Sequence, residues 1–189
     1  MPKKVVVVGS GNAALSAGIA ALEKGADVVV YEKADKKMAG GNTKYTAGAM
    51  RFSYENGDQL IDLLKHPDDK RIKDTDFGSY TNEKFSLDLL NFNDGRPLSP
   101  EQNILVSKSF ETIQWLASHN VKFEPIYSRQ SFLKDGKHIF WGGLTLASEN
   151  EGVGLFDQEL AAFLSLGGKI HYNSPVTKLI YQNNRVSGV

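Results

Sequence analysis

Two short apolar runs on either side of an amphipathic stretch organise the first third of the chain. Val5–Val8 is a continuous β-branched run, which is typical of a strand buried on both faces of a parallel sheet. The turn Gly9–Ala14 follows it, and apolar residues then recur at helical spacing until Gly25, where the helix is predicted to end. Val28–Tyr31 predicts a second buried strand, directly followed by Glu32. This order predicts a βαβ unit at the start of an α/β fold.

Polar residues dominate the middle of the chain, where the pattern predicts helices over residues 58–65 and 82–92. Ser99-Pro100-Glu101-Gln102 is a helix start, because serine caps the first turn, proline suits its first position and glutamine completes a capping box. This helix is predicted to run to about Ser118. Its expected buried residues are Ile104, Leu105, Phe110 and Ile113, with Trp115 and Leu116 as further candidates.

The remaining pattern alternates between turns and short apolar runs. Asp135-Gly136 is a two-residue hairpin turn, and Asn183-Asn184 favours another. The predicted elements are a hairpin over 131–141, a helix from Gly154 to the Gly167-Gly168 pair, a strand over 169–172 and a hairpin over 176–189.

Composition and charge exclude several classes of partner and cofactor. Basic and acidic side chains number 22 each, so we expect no nucleic-acid partner and no membrane insertion. The absence of cysteine excludes disulfides, thiolate zinc sites and cysteinyl iron–sulfur clusters in this chain. There is no signal peptide pattern and no transmembrane-length apolar run, so a cytoplasmic location is expected. The four histidines show no metal-site or catalytic-triad spacing, and no metal ligand is predicted.

The first βαβ unit carries the residues that a dinucleotide needs. Gly9 permits a sharp turn, Gly11 lets a pyrophosphate approach the backbone, and Ala14 lets the helix lie close to the sheet. Glu32 lies 21 positions after Gly11, where an acidic residue accepts hydrogen bonds from an adenosine ribose. The motif predicts dinucleotide binding without separating FAD from NAD.

Residues 39–50 are rich in glycine and alanine and contain several polar side chains. They form either an ordinary small-residue loop or a segment that lies along a flat cofactor, with Asn42 and Thr43 supplying polar contacts. Residues 41–44 and 47–50 resemble the flavin-contacting segment of the fumarate reductase/succinate dehydrogenase flavoprotein family. The resemblance implies FAD rather than NAD.

The resemblance implies a fold and a domain order. The expected fold is a Rossmann-like FAD-binding domain of the glutathione-reductase type, with a parallel central sheet and a small β-hairpin layer, incomplete at the C-terminus. Residues 1–55 would form its first part, 56–150 a helical and hairpin insertion, and 151–189 the return to it. Residues 140–144 are similar to an aromatic-Gly-Gly segment of tricarballylate-dehydrogenase-like members.

Two positions depart from the family pattern. Ala49 stands where a second glycine is common, and the added methyl group is expected to be tolerated. Asn42 occupies the position of the histidine that attaches flavin covalently in membrane-bound succinate dehydrogenases, so FAD is expected to be held noncovalently.

On the adenine side, the resemblance implies a further contact: the backbone of Val176 matches the valine that meets the adenine ring in this class.

Together, the motif and the resemblance define a predicted cofactor site. No catalytic residue is predicted, because the family's catalytic Arg and His residues are expected beyond residue 189. The predicted FAD contacts are Gly9, Gly11, Asn12, Ala13, Ala14, Glu32, Lys33, Gly41, Asn42, Thr43, Ala47, Gly48, Ala49 and Val176.

The expected function is that of the FAD-binding N-terminal part of an oxidoreductase acting on C–C bonds next to carboxylates. The chain alone is expected to be inactive and to bind FAD weakly, with a small carboxylate substrate and an unknown electron partner belonging to the complete enzyme. One alternative is another flavin dehydrogenase of the same architecture, of the ketosteroid or urocanate type. A second alternative is a catalytically silent nucleotide-binding module, because fold alone does not fix function.

Overall fold

The computed structural model of the chain describes residues 2–189 as a succession of short helices and strands. In chain order the elements are β1 Lys4–Val8, α1 Asn12–Glu23, β2 Asp27–Tyr31, a 3-10 helix Gly41–Tyr45, β3 Ala49–Met50, α2 Asp58–Ile61, a second 3-10 helix Ile72–Asp74, β4 Thr75–Asp76, α3 Asn82–Phe92, α4 Pro100–Ser118, β5 Phe123–Pro125, α5 Tyr127–Gln130, β6 Ser131–Lys134, β7 Lys137–Phe140, β8 Leu146–Ser148, α6 Glu151–Ser165, β9 Lys169–His171, β10 Ile180–Gln182 and β11 Arg185–Gly188.

The described residues fall into two compact units. The discontinuous unit combines the described part of Met1–Thr46 with Gly152–Val189. The inserted unit is Ala47–Glu151. Among the described residues, no helix combines the length and the apolar character needed to cross a bilayer.

A three-stranded parallel sheet with the order β1-β2-β9 lies at the centre of the discontinuous unit. In the register of this sheet, Val7 of β1 pairs with Val30 of β2, which pairs with Ile170 of β9. The predicted α/β class with a parallel sheet is therefore confirmed. The hairpin β10-β11 forms a separate two-stranded antiparallel sheet around Asn183-Asn184, as its sequence predicts. Its first strand begins at Ile180, later than the pattern indicates.

The expectation that the first strand is buried on both faces is wrong for this chain. Val8 of β1 is 55% exposed, whereas Val28 and Val30 of β2 are fully buried. The exposure alternates along β1: Val6 and Val8 are exposed, whereas Val5 and Val7, which pair with Val28 and Val30, are half-buried. Successive side chains of a strand point to opposite faces, so one face of β1 is uncovered within residues 2–189.

Helices α1 and α6 pack together in the core of the discontinuous unit. Leu15 and Ile19 of α1 and Phe163 of α6 are fully buried. Gly18 lies so close to the Phe163 ring that an added Cβ would be 2.9 Å from Cε2 and 3.8 Å from Cγ1 of Val28. Gly25 has φ +77° directly after the end of α1, which agrees with its predicted role as a helix stop.

The inserted unit contains α3, α4 and two three-stranded sheets, with the orders β3-β8-β5 and β4-β7-β6. The capping box of α4 is present as predicted: Ser99 Oγ accepts from Gln102 N–H, and the Gln102 side chain accepts from Ser99 N–H. The predicted helix over 58–65 is shorter, since α2 ends at Ile61. The hairpin over 131–141 is confirmed as β6 and β7.

The predicted buried face of α4 is wrong at two positions. Ile104 is 62% exposed and Leu105 is 50% exposed. The buried residues of this helix are Val106, Ser109, Ile113 and Leu116. They recur every three or four residues, so they share one side of the helix. Ile104 lies on the opposite side, whereas Leu105, four residues before Ser109, lies at the margin of the buried side and is left uncovered near the start of the helix.

Candidate functional site

The glycine-rich turn lies at the carboxyl end of β1 and has open space beside it. Gly9 has φ +90°, and its N–H donates a 2.8 Å hydrogen bond to the carbonyl oxygen of Tyr31 at the end of β2. A Cβ on Gly9 would meet no atom within 4 Å. The turn therefore requires glycine for its backbone conformation, and the space in front of it is free for a ligand.

The first turn of α1 presents unpaired backbone donors. Gly11 is the N-cap residue, and no side chain caps it. Within residues 2–189 no acceptor is within hydrogen-bond reach of the N–H groups of Gly11 and Ala13, and Ala13 is exposed. Ala14 N–H donates back to the Gly11 carbonyl oxygen at 2.9 Å. Unpaired N–H groups at the positive end of a helix attract an anion such as a phosphate.

Glu32 joins the end of β2 to the glycine-rich turn. Its side chain is buried, and Oε2 accepts a 2.6 Å hydrogen bond from Ser10 Oγ while Oε1 accepts one of 2.8 Å from Ala34 N–H. Ser10 Oγ in turn accepts from Gly40 N–H at 3.1 Å. An ionised carboxylate can accept about four hydrogen bonds, so each oxygen retains capacity for a ligand hydroxyl. Lys33, which follows, is exposed.

The 3-10 helix Gly41–Tyr45 packs against the same turn. Thr43 Oγ1 accepts a 2.9 Å hydrogen bond from Asn12 N–H, and it would lie 3.2 Å from a Cβ placed on Gly11. Gly41 and Asn42 are exposed. The structure therefore brings the predicted residues at 9–14, 32 and 41–43 together at one edge of the parallel sheet.

Val176 lies at a second opening in the discontinuous unit. A cavity of about 350 Å³ is lined by Tyr31 of β2, by the segment Ser174–Lys178 that follows β9, by Ile180 and by Val189. Tyr31 also stacks on His171 with 5.3 Å between ring centroids. This cavity borders Tyr31, the residue directly before Glu32.

Ala47, Gly48 and Ala49 belong to the inserted unit. Gly48 is buried with φ +65°, and a Cβ there would collide with Ser148 Oγ and with the backbone of Glu151. Contacts within the inserted unit therefore explain why this position is a glycine, and no ligand is needed to explain it. Ala49 lies in β3, paired with Ala147, with no left-handed backbone, so its methyl group causes no strain.

Arg51, Tyr80 and Asp88 form a charged cluster in the inserted unit, which the sequence did not predict. Arg51 Nη1 is 2.9 Å from Tyr80 Oη, and Tyr80 Oη donates a 2.5 Å hydrogen bond to Asp88. Burial, together with the hydrogen bond to Asp88, raises the pKa of Tyr80 to about 12. Tyr80 therefore remains a neutral donor at physiological pH, and Asp88 is fixed beside Arg51. No short motif joins these three positions.

Glu159 is a further polar residue that sequence analysis did not identify as functional. It is fully buried on α6, and Oε1 accepts a 2.8 Å hydrogen bond from Ser16 Oγ of α1. Burial raises the pKa of Glu159 to about 7, although the Ser16 hydrogen bond acts in the opposite direction. The sequence does contain one sign of this role: Glu159 is four residues from both Leu155 and Phe163, which puts a glutamate on the apolar face of the predicted helix.

Metal-binding geometry is not found in the described residues, where no group of three or more His, Asp or Glu side chains could hold an ion. His138 is positioned by structural contacts: its Nδ1 is 3.3 Å from Ser131 Oγ, and its ring lies edge-on to Tyr127.

Comparison with known proteins identifies the type of domain. A family model described as FAD binding domain matches residues 4–189. Digoxin reductase of Eggerthella lenta is 31% identical over 120 residues, which are 64% of this chain and 19% of that protein. Fumarate reductase (cytochrome) of Shewanella frigidimarina is 39% identical over 64 residues, 34% of this chain and 11% of that protein. The matched regions thus span a small part of these relatives.

Solved structures agree in fold. A 3-ketosteroid-Δ4-(5α)-dehydrogenase from Rhodococcus jostii RHA1 superposes with a TM-score of 0.66 and 18% identity, covering 97% of this chain and 41% of that one. A flavocytochrome c3 fumarate reductase superposes with a TM-score of 0.63 and 24% identity, covering 97% of this chain and 28% of that one. At these identities the likeness concerns the fold.

Proposed function

This chain belongs to the FAD binding domain family, and we propose that its discontinuous unit binds FAD as part of a flavoprotein oxidoreductase that acts on C–C bonds next to carboxylates. The observation that carries this proposal is the hydrogen bond between Ser10 and Glu32, because it places a carboxylate beside a turn whose helix N–H groups are unpaired. A dinucleotide needs both features at one edge of a sheet.

Different residues of the chain bind different parts of the cofactor in this proposal. The N–H groups of Gly11 and Ala13 bind the pyrophosphate, and Gly9 leaves room for it. Glu32 accepts the ribose hydroxyls, and the cavity at Val176 receives the adenine. The remaining proposed contacts are those of Asn12, Ala14, Lys33, Gly41, Asn42, Thr43, Ala47, Gly48 and Ala49.

FAD supplies hydride transfer when bound, which suits the reduction or formation of a C–C double bond next to a carboxylate. The substrate class is supported by the 39% identity to a fumarate reductase over 64 residues. Arg51 places a partly exposed cation in the inserted unit, next in sequence to Ala47–Met50, and Tyr80 Oη and Asp88 hold its guanidinium group in position. We also propose that residues 56–150 are an insertion into the FAD-binding domain formed by 1–55 and 151–189.

Noncovalent attachment is part of the proposal, because Asn42 has no nucleophilic nitrogen. The test is to saturate the chain with FAD, denature it in acid and separate the protein from small molecules. All yellow colour should leave with the small molecules. Colour retained on the precipitated protein would contradict noncovalent attachment and leave FAD binding itself supported.

The substrate class requires the complete polypeptide, since the matched relatives are much longer. Its reduced flavin should be reoxidised anaerobically by an unsaturated dicarboxylate such as fumarate. Reoxidation by an unsaturated steroid ketone alone would favour the ketosteroid-type alternative. No reoxidation by any acceptor, with FAD bound, would favour the silent nucleotide-binding module.

A further inference from the structure

A buried carboxyl group lies directly behind the proposed pyrophosphate site. Glu159 has no exposed surface, and its carboxyl group faces Asn12 and Ser16 on α1. Asn12 is the first residue of that helix, and its backbone N–H is held by Thr43. The contact therefore links α6 to the turn that presents the unpaired N–H groups.

The Asn12 amide can face Glu159 with either of its two ends. With nitrogen toward Glu159, Nδ2 donates to Oε1 at 2.9 Å and to Oε2 at 3.1 Å. This orientation suits an ionised carboxylate, which only accepts hydrogen bonds. With oxygen toward Glu159, Oδ1 faces the carboxyl group and suits a protonated one, whose O–H can donate to it. The orientation of the amide thus depends on one proton.

The other end of the amide changes character at the same time. In either orientation, the amide atom that faces away from Glu159 has no hydrogen-bond partner in the described part of the chain. With a protonated Glu159 that atom is Nδ2, a donor that attracts an anion. With an ionised Glu159 it is Oδ1, an acceptor that repels one.

Burial is the main influence on the pKa of Glu159. No described residue forms an ion pair with it, and Ser16 is its hydrogen-bonding neighbour besides Asn12. On the packed elements, Lys44 of the 3-10 helix places its Nζ over the Phe156 ring. The one charged residue of α1, Glu23, lies at the far end of that helix, about 16 Å along the axis from Asn12. Burial raises the pKa of Glu159 to about 7, so both protonation states occur near physiological pH.

We propose that Glu159 is a positioning residue for the first turn of α1, and that its proton sets the orientation of the Asn12 amide, so that FAD binds more tightly when Glu159 is protonated. The inference rests on the proposed FAD site. Binding of the doubly charged pyrophosphate stabilises the protonated carboxyl group, and the complex therefore takes up a proton from solvent. Cofactor affinity falls as the pH rises through the pKa of Glu159.

The test measures the dissociation constant of FAD for the full chain from about pH 6 to about pH 8.5. For the wild type we expect the dissociation constant to rise about tenfold, since tenfold corresponds to a pKa change of about one unit on binding. Glu159→Gln, which is neutral at every pH, should bind with an affinity that does not vary over this range. Asp157→Asn, on the exposed side of the same helix, should keep the wild-type profile.

Two further measurements separate this role from a merely structural one. Calorimetry in two buffers of different ionisation enthalpy should show proton uptake on FAD binding by the wild type and none by Glu159→Gln. Ser16→Ala should move the midpoint of the pH profile upward, because it removes the hydrogen bond that lowers the pKa of Glu159. This variant also tests the inference if Glu159→Gln does not fold.

The outcomes distinguish the two proposals. FAD binding with the same affinity at every pH, without proton uptake, would overturn the role of Glu159 and leave the FAD site intact. A Glu159→Gln variant that kept the wild-type pH profile would overturn it as well. No saturable FAD binding at any pH would contradict the proposed function and this inference together.

Discussion

Ser10 Oγ donates a 2.6 Å hydrogen bond to Glu32 Oε2, although the two residues are 22 positions apart in sequence. The bond fastens the glycine-rich turn after β1 to the residue after β2. Because Ser10 also accepts from Gly40 N–H, three segments meet at this hydroxyl. The proposed ribose acceptor and the proposed pyrophosphate donors therefore have a fixed relative position before any ligand binds, which reduces the ordering cost of binding.

Glu32→Gln should weaken FAD binding by about 10- to 100-fold, because hydrogen bonds to a charged group contribute about 1.5–3 kcal/mol. The measurement is an equilibrium titration followed by flavin fluorescence. FMN, which lacks the adenosine, should bind equally to wild type and variant. Asp35→Asn is the control, since asparagine keeps an acceptor for Met38 N–H. An equal loss for FMN and FAD would show that Glu32 acts on the fold rather than on the ribose.

Gly9→Ala and Gly25→Ala form a matched pair. Both glycines have positive φ, and an added Cβ would meet nothing within 4 Å at either position. Each substitution should lower the free energy of unfolding by about 1–2 kcal/mol through backbone strain. Only Gly9→Ala should also weaken FAD binding, since its methyl group enters the space proposed for the cofactor. Loss of affinity in both variants would remove this evidence for the location of the site.

Gly18→Ala should destabilise the discontinuous unit by about 1–3 kcal/mol through overpacking. Its Cβ would lie 2.9 Å from Phe163 Cε2. Urea denaturation measures the effect, and a double-mutant cycle with Phe163→Leu should recover part of it because leucine removes the contacting ring atom. Strictly additive losses in the cycle would mean that the close approach of these two residues is not the cause.

Ser99→Ala should cost about 0.5–2 kcal/mol, because it removes the N-cap acceptor of α4. The hydroxyl accepts from Gln102 N–H at 3.2 Å. Ser107→Ala, at an exposed position inside the same helix, should be neutral or slightly stabilising. Thermal unfolding monitored by circular dichroism compares the two. A loss at Ser107 equal to that at Ser99 would argue against a capping role.

The stability of the wild type should depend on pH through Glu159. Its pKa is raised from 4.5 to about 7 in the folded chain, so folding favours the protonated form. This contribution is fully present below about pH 4.5 and is lost as the pH rises through about 7, a fall of about 3 kcal/mol in the free energy of unfolding. Glu159→Gln should lack this fall, and Asp157→Asn should show it. Identical pH profiles for the wild type and Glu159→Gln would contradict the raised pKa.

Sequence predicted those parts of the structure that local residues determine. The turn at Gly9–Ala14, the capping box at Ser99 and the hairpin at Asp135-Gly136 each depend on residues a few positions apart, and each is present. The parallel pairing of β1 and β2 follows from the helix between them.

Features that depend on distant residues were not predictable. Ile104 and Leu105 have the same apolar character as the buried residues of α4, and only the packing partner decides which face is covered. Gly48 needs glycine because Ser148 and Glu151, about a hundred residues later, approach its Cα. Glu159 and Ser16 are 143 positions apart, and no periodicity within one helix reports such a contact.

The most direct test of the central claim is an equilibrium titration of the full chain with FAD, in competition with ADP. The account predicts saturable one-to-one binding of FAD, displacement by ADP because it carries the same adenosine and pyrophosphate, and weaker binding of FMN. Absence of saturable binding, or FMN binding as tight as FAD binding with no effect of ADP, would contradict a dinucleotide site at Gly9–Ala14 and Glu32.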